Sequence, residues 1–203
     1  MPRRDLIALV DLDGTVADFD LQMKTDLAAL ASPAEQPRPD GDNGSDTFDP
    51  PWLKARKHLI RFIPGWWENL PVYKPGMEIV GLLREAGFTL MVLTKGPFNA
   101  PAAWAEKVKW CRRHLPDASV TITEDKGLVY GRVLVDDWPA YGIRWLQWRP
   151  RGLLIVPAQP WNTLDQYPEE LHPNIWRAPG ANAPVNEWAS LRDRIKTISG
   201  GQT

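Results

Sequence analysis

The sequence predicts an α/β fold: a Rossmann-like parallel sheet with helices on both faces. Two observations predict it. Short apolar runs alternate along the chain with longer amphipathic segments, the pattern left by strands joined through crossover helices. The first of these runs, LIALV at residues 6–10, is apolar throughout, which fits a strand buried on both faces. A length of 203 residues and a mass of 23.0 kDa suit one such core with a modest insertion.

Taken in order, LIALV is a strand, and DLQMKTDLAALAS, after an acidic loop, reads as a helix. Residues 32–51, SPAEQPRPDGDNGSDTFDPP, are crowded with Pro, Asp and Gly and predict a loop. WLKARKHLIRFI is apolar at helical spacing, whereas PGWWENLPVY has no clear period. PGMEIVGLLREAG opens on proline and closes on glycine, as helices tend to. FTLMVLT is then a strand, PAAWAEKVKWCRRHL a helix, SVTIT and RVLVDD short strands, AYGIRWLQW helical and GLLIVP a strand. A Pro-rich, Trp-containing connection leads to a last helix, VNEWASLRDRIKTI.

Composition narrows the function classes. A formal net charge of -1 gives no global attraction to nucleic acid or to an anionic membrane. The local basic cluster Lys54, Arg56, Lys57, His58 and Arg61 reads first as the solvated face of a helix. The single cysteine, Cys111, excludes an internal disulfide framework and a multi-cysteine metal site. No apolar run approaches the roughly 20 residues that span a bilayer, and the first is too short for a signal peptide, so a cytoplasmic protein is expected.

Chemistry-bearing residues collect where strands end, which in a parallel sheet is where sites form. Asp11 and Asp13 follow the first strand, and residues two apart share a face. Gly14 permits a sharp exit and Thr15 can cap the segment after it. Thr94 ends FTLMVLT, with Lys95 and Gly96 after it; Lys126 precedes RVLVDD, which ends in Asp136 and Asp137. Facing carboxylates repel unless a cation or a proton lies between them. An oxygen-only set favours a hard ion such as magnesium, and magnesium with a lysine and a hydroxyl is what a transferring phosphoryl group needs. A calcium loop is the competing reading of DLDG, but the twelfth position from Asp11 is Gln22 rather than the closing glutamate.

The set resembles the haloacid dehalogenase superfamily of phosphatases: DLDGTVAD matches its first motif, Leu93 and Thr94 its second, Lys126 its lysine motif and LVDD its acidic motif. DLDGTVADF, PGWWENLPVYKPG, EKVKWCRRHLPD and TEDKGLVYGRVLVDD are similar, more narrowly, to the 5'(3')-deoxyribonucleotidases. The resemblance implies a magnesium-dependent phosphatase acting on (deoxy)nucleoside monophosphates through an aspartyl-phosphate intermediate. Asp11 would be the nucleophile and Asp13 the acid and base, with Asp11, Asp13, Asp136 and Asp137 around the magnesium and Thr94 and Lys126 on the phosphoryl oxygens. It also implies a core of residues 1–18 and 73–203 and a helical cap of residues 19–72.

Within that cap Phe19, Trp66 and Trp67 would meet the nucleobase, for which core packing is the competing role. Trp110, Trp145, Trp148 and Trp188 read as packing on helices that cover the sheet, and His58, His114 and His172 as surface residues. Two positions depart from the family: Lys95 replaces a small hydroxyl residue, and Glu124 an arginine. Both would lie near the substrate with Gly96, so they would bear on its choice. A phosphatase for another small phosphomonoester or for nucleic-acid 3'-phosphate ends is the alternative, with a silent nucleotide-binding module further behind. The partner expected is a small phosphate ester rather than membrane or nucleic acid, and a homodimer is compatible with the family.

Overall fold

The computed structural model describes residues 6–35, 49–178 and 185–200. Six strands form one sheet: β1 (Ile7–Val10), β2 (Thr89–Thr94), β3 (Ser119–Ile122), β4 (Val133–Val135), β5 (Leu153–Val156) and β6 (Ile175–Arg177). Their order is β3-β2-β1-β4-β5-β6, and every neighbouring pair is parallel. The chain builds outward from β1 to β3, then returns to the other side of β1 for β4. That reversal opens a crevice between β1 and β4 at their carboxyl ends, where open α/β sheets hold ligands.

Among the described residues there are six α-helices: α1 (Phe19–Ala29), α2 (Pro51–Arg61), α3 (Lys74–Glu85), α4 (Pro101–His114), α5 (Pro139–Trp148) and α6 (Val185–Ser199). Strand side chains alternate between two faces, and each face has its own apolar cover. Ala8, Val10, Val133 and Val135 share one cluster with Ile79 and Leu83 of α3, Trp110 of α4 and Leu191 of α6. Leu9, Leu134 and Leu154 share the other with Trp145 and Leu146 of α5. Among the described residues no helix is long and apolar enough to cross a membrane.

Two expectations need correction. The Pro-rich connection contains β6, a strand of three residues, too short for any period to show between Pro173 and Pro179. Trp148 does not cover the sheet: it ends α5 and is 57% exposed, while Trp110 and Trp145 are fully buried. The expected loop at 32–51 is described only at its edges, because residues 36–48 lie outside the described residues.

The turn after β1 is tightly packed. Gly14 has φ +73°, and a Cβ there would lie 2.5 Å from an oxygen of Asp137. Just beyond, Asp18 donates its N–H to Pro71 at 2.7 Å and Tyr73 donates its own to Val16 at 2.8 Å. The chain that carries α1 and α2 therefore leaves and returns along a paired stem. α3 presses on the same turn, since a Cβ on Gly76 would come 1.7 Å from the carbonyl oxygen of Thr15.

A backbone oxygen cannot step aside as a side chain can. We therefore expect Gly76→Ala to cost about 1–3 kcal/mol, the usual range for overpacking, read as a lower urea midpoint. Gly81 lies on the same helix with open space around it, so Gly81→Ala is the control and should be neutral or stabilising by up to about 1 kcal/mol. Equal midpoints for the two variants would contradict this account of the turn.

Candidate active site

Asp11 follows β1 directly, and its N–H donates to the Val135 carbonyl of β4 at 2.9 Å, which fixes it at the crevice. Lys126 sits in a short 3-10 turn (Lys126–Leu128) between β3 and β4. The Asp125 carboxylate caps that turn through Gly127 N–H at 2.8 Å and is held in turn by Arg144 at 3.0 Å. So braced, the Lys126 ammonium reaches Asp11 Oδ1 at 2.8 Å and Asp136 Oδ2 at 2.7 Å, and only 3% of the residue is exposed. Burial works against its charge, but Asp11 and Asp136 prevail and hold its pKa above the ordinary lysine value.

Carboxylates outnumber the ammonium here. Asp11, Asp136 and Asp137 are all buried, and each has an oxygen within 4.8 Å of the others. Burial, reinforced by Asp11, pushes Asp136 up to about 6 against the pull of Lys126. Burial, then Asp11 and Asp136, push Asp137 well above the carboxylate range, even though Asp137 accepts hydrogen bonds from Thr15 Oγ1 at 3.1 Å and Trp161 Nε1 at 3.2 Å. Three crowded oxygen donors that are unfavourable as bare anions fit a hard divalent cation.

Asp13 is different. Its carboxylate is 27% exposed, Oδ2 accepts from the buried ammonium of Lys107, and Oδ1 has no hydrogen-bond partner. Burial raises its pKa, and Lys107 opposes the rise. Thr94, buried at the end of β2, accepts from the same Lys107 at 3.3 Å. One cavity of about 230 Å³ is lined by Asp11, Asp13, Lys126 and Asp137 together with Phe19 and Trp67.

The aromatic pair expected over a base divides. Trp67 lines the cavity, its ring 5.5 Å from that of Phe19. Trp66 is not among the lining residues: its indole N–H donates to Asp26 of α1 at 2.6 Å, and its ring stands edge-on to Phe19 and Trp67 in the core cluster. Lys95 lines the cavity and pairs with Glu124 at 3.3 Å, so the two departures from the family pattern face one another. Glu124 and Gly96 line an adjoining open groove.

Sequence reasoning missed Lys107, Tyr141, Trp138 and Trp161. Lys107 left a signal, because it shares the buried face of α4 with Ala103, Trp110 and Cys111 at helical spacing. A lysine on an apolar stripe needs partners. Tyr141 puts its ring 4.8 Å from the Lys126 ammonium. The basic cluster on α2 is no common face: Arg56 binds Glu35 through two contacts at 2.7 and 2.8 Å, Lys57 is buried and paired with Asp49, and Arg61 lines the cavity.

The raised pKa of Asp136 fixes a sign. Its value is about 6 in the folded chain against 3.8 ordinarily, so in metal-free protein the folded state holds the extra proton, and stability from this group is lost as pH rises through that window. In the presence of a chelator, Asp136→Asn should therefore gain on the unsubstituted protein between about pH 4 and pH 6, measured as urea midpoints. A gap independent of pH would contradict the crowding described above.

The chain is similar to known proteins over most of its length. The sequence profile described as "5' nucleotidase, deoxy (Pyrimidine), cytosolic type C protein" matches residues 5–164. A protein of Bordetella bronchiseptica provisionally named 5'(3')-deoxyribonucleotidase is 28% identical over 164 residues, which span 77% of this chain and 86% of the relative. A Bordetella pertussis protein of the same provisional name is 29% identical over the same shares. Among solved structures, a provisionally named haloacid dehalogenase-like hydrolase of Burkholderia xenovorans LB400 aligns with 98% of this chain and 99% of its own, at 14% identity and a TM-score of 0.49. The chain belongs to the 5' nucleotidase, deoxy (pyrimidine), cytosolic type C family and is a phosphoric monoester hydrolase.

Proposed function

We propose that the protein is a magnesium-dependent phosphatase that hydrolyses (deoxy)nucleoside monophosphates to nucleoside and phosphate through an aspartyl-phosphate intermediate. One observation carries this reading: a single cavity joins Asp11, Asp13 and Lys126 to the rings of Phe19 and Trp67. Phosphoryl chemistry and a surface for a planar base thus meet in one space.

Asp11 attacks phosphorus while the ester oxygen departs with a proton from Asp13. Asp13 then takes a proton from the water that cleaves the aspartyl phosphate. Lys126 has two hydrogen bonds to carboxylates and one N–H left for a phosphoryl oxygen; the Thr94 hydroxyl can donate to another. Asp11, Asp136 and Asp137, with the Asp13 backbone carbonyl, would hold magnesium, which offsets the negative charge of carboxylates and substrate. The stem at residues 16–18 and 71–73 supports treating residues 19–72 as a helical cap over this site. A cytoplasmic setting suits the free buried thiol of Cys111.

The direct test is phosphate release from nucleoside 5'- and 3'-monophosphates, sugar phosphates and 3'-phosphorylated oligonucleotides, with and without magnesium. Deoxynucleoside monophosphates should lead, and Asp11→Asn should lose more than about a thousandfold, as nucleophile removal does. Trp67→Ala should cost nucleotides on the order of 5- to 150-fold, the equivalent of 1–3 kcal/mol of stacking, and nitrophenyl phosphate far less. Sugar phosphates ahead by orders of magnitude would overturn the substrate, and no release from anything would overturn the enzyme.

Magnesium has a readout apart from turnover. At a hundred times its dissociation constant it should stabilise by about 2.7 kcal/mol, a rise in melting temperature on the order of 5–10 °C for a chain of this size. Asp137→Asn should abolish the rise. An undiminished rise in that variant would remove Asp137 from the metal site.

A further inference from the structure

We propose that a pocket at the amino ends of β4 and β5 is a second, non-catalytic binding site that takes one nucleotide unit. The planar base lies on Trp148 and Tyr130, and the phosphate on Arg149 and Arg151. The site is at the opposite end of the strands from the carboxylates, and its assignment does not depend on their chemistry.

The pocket has a volume of about 280 Å³. Tyr130, Arg132, Trp148, Arg149 and Arg151 line it, and no carboxylate does. Because β4 and β5 are parallel, the segments that lead into them, residues 130–132 and 149–152, come to one edge of the sheet. Asp136 and Asp137 follow the other end of β4. Gly131 and Gly152 also line the pocket, and both rest on the core: a Cβ would lie 2.7 Å from Leu9 at Gly131 and 2.6 Å from the Trp145 ring at Gly152. Hydrogen bonds pin the same backbone. Arg132 donates its N–H to Ile7 at 2.8 Å, and Leu153 donates to the Arg132 carbonyl at 3.0 Å. The Asn174 amide donates to the carbonyls of Pro150 and Gly152 at 3.1 and 2.8 Å. Backbone held in this way has little left to order when a ligand arrives.

Charge and ring faces name the ligand. Among the described residues neither Arg149 nor Arg151 has an ion-pair partner. A guanidinium carries five N–H donors, and Arg149 has one engaged, on the Trp148 carbonyl at 2.9 Å. Its guanidinium lies 5.7 Å from the centre of the Tyr130 ring. Arg144, paired with Asp125, lies 5.4 Å from the centre of the Trp148 ring. Even so, Tyr130 is 49% exposed and Trp148 57%. Guanidinium forks suit phosphate oxygens, and an exposed aromatic face beside them suits a base. The dipole of α5 accounts for a cation at Arg149, but not for Arg151 or for the two exposed rings beside it.

The volume is near the lower end of small-molecule sites, roughly 300 Å³, and suits one nucleotide rather than several. A phosphate ion would leave the rings uncovered, and a nucleoside would leave the arginines unanswered, so the pocket should require both halves of its ligand. The same base-and-phosphate chemistry is offered by a free nucleotide and by one unit of a single strand.

The experiment is equilibrium dialysis of the magnesium-loaded protein against a radiolabelled deoxynucleoside methylenephosphonate, a monophosphate analogue whose P–C bond resists hydrolysis. The unsubstituted protein should take up two molecules per chain, one in each site. The double variant Arg149→Ala/Arg151→Ala should lose one of them. Trp148→Ala, at an exposed position, should weaken that same one by about fivefold or more, the scale of a lost base stack. Trp67→Ala should weaken only the other. Inorganic phosphate and a deoxynucleoside should each bind the pocket at least about tenfold more weakly than the analogue, a difference of about 1.4 kcal/mol. A short single-stranded oligonucleotide separates the sources: affinity equal to the analogue's assigns a free nucleotide, and affinity at least about tenfold tighter assigns a strand. One molecule per chain, lost in the double arginine variant and kept in Trp67→Ala, would support the pocket and count against the nucleotide reading of the catalytic cavity. Uptake unchanged by the arginine and Trp148 substitutions would overturn the proposal. So would inorganic phosphate binding as tightly as the analogue, which would leave a plain anion site. A dimer that the double variant turns into monomers with nucleotide uptake intact would make the patch a subunit contact instead, and would also overturn it.

Discussion

The structure depends on how negative charge is tolerated at the carboxyl end of its central strand. Asp11, Asp136 and Asp137 are buried within a few ångströms of one another, and the Lys126 ammonium answers two of them. One cation against three carboxylates leaves an excess, visible in the raised pKa values of Asp136 and Asp137. Such an excess fits the cation proposed for this site, since facing carboxylates repel unless a cation or a proton lies between them. Another buried ammonium, Lys107, pairs with Asp13, so Lys126 and Lys107 form their ion pairs with different carboxylates of the site.

The frame around them is arranged to keep that crowding fixed. β1 lies between β2 and β4, so the backbone of Asp11 is tied to β4 while its side chain projects into the crevice. Gly14 lets the chain turn against Asp137 where any Cβ would collide. α3 seals the turn from behind at Gly76, and the stem at residues 16–18 and 71–73 carries the aromatic wall back over the carboxylates. Close packing and backbone hydrogen bonds around the turn hold together groups that repel one another.

The sequence made the strand-borne part of this site legible. Asp11, Thr94, Lys126, Asp136 and Asp137 lie next to short apolar runs, and a parallel sheet brings strand ends to one edge. Lys107 was hidden because it lies mid-helix, where only its place on an apolar stripe sets it apart from solvated lysines. Trp66 and Trp67 could not be separated, since they stand next to each other in a turn without a period, and one faces α1 while the other faces the cavity. Lys95 and Glu124 read singly as departures from a family pattern; only folding shows that they pair. β6 was missed because three residues are too few to display a pattern.

The central claim is that Asp11 is a nucleophile and that its neighbours exist to make a carboxylate attack an anion. The stereochemical course at phosphorus tests this most directly, using an isotopically chiral thiophosphate analogue of a deoxynucleoside monophosphate. Two in-line displacements, one by Asp11 and one by water, invert the centre twice. The account expects net retention of configuration. Net inversion would mean that water attacks the substrate directly, and would contradict it.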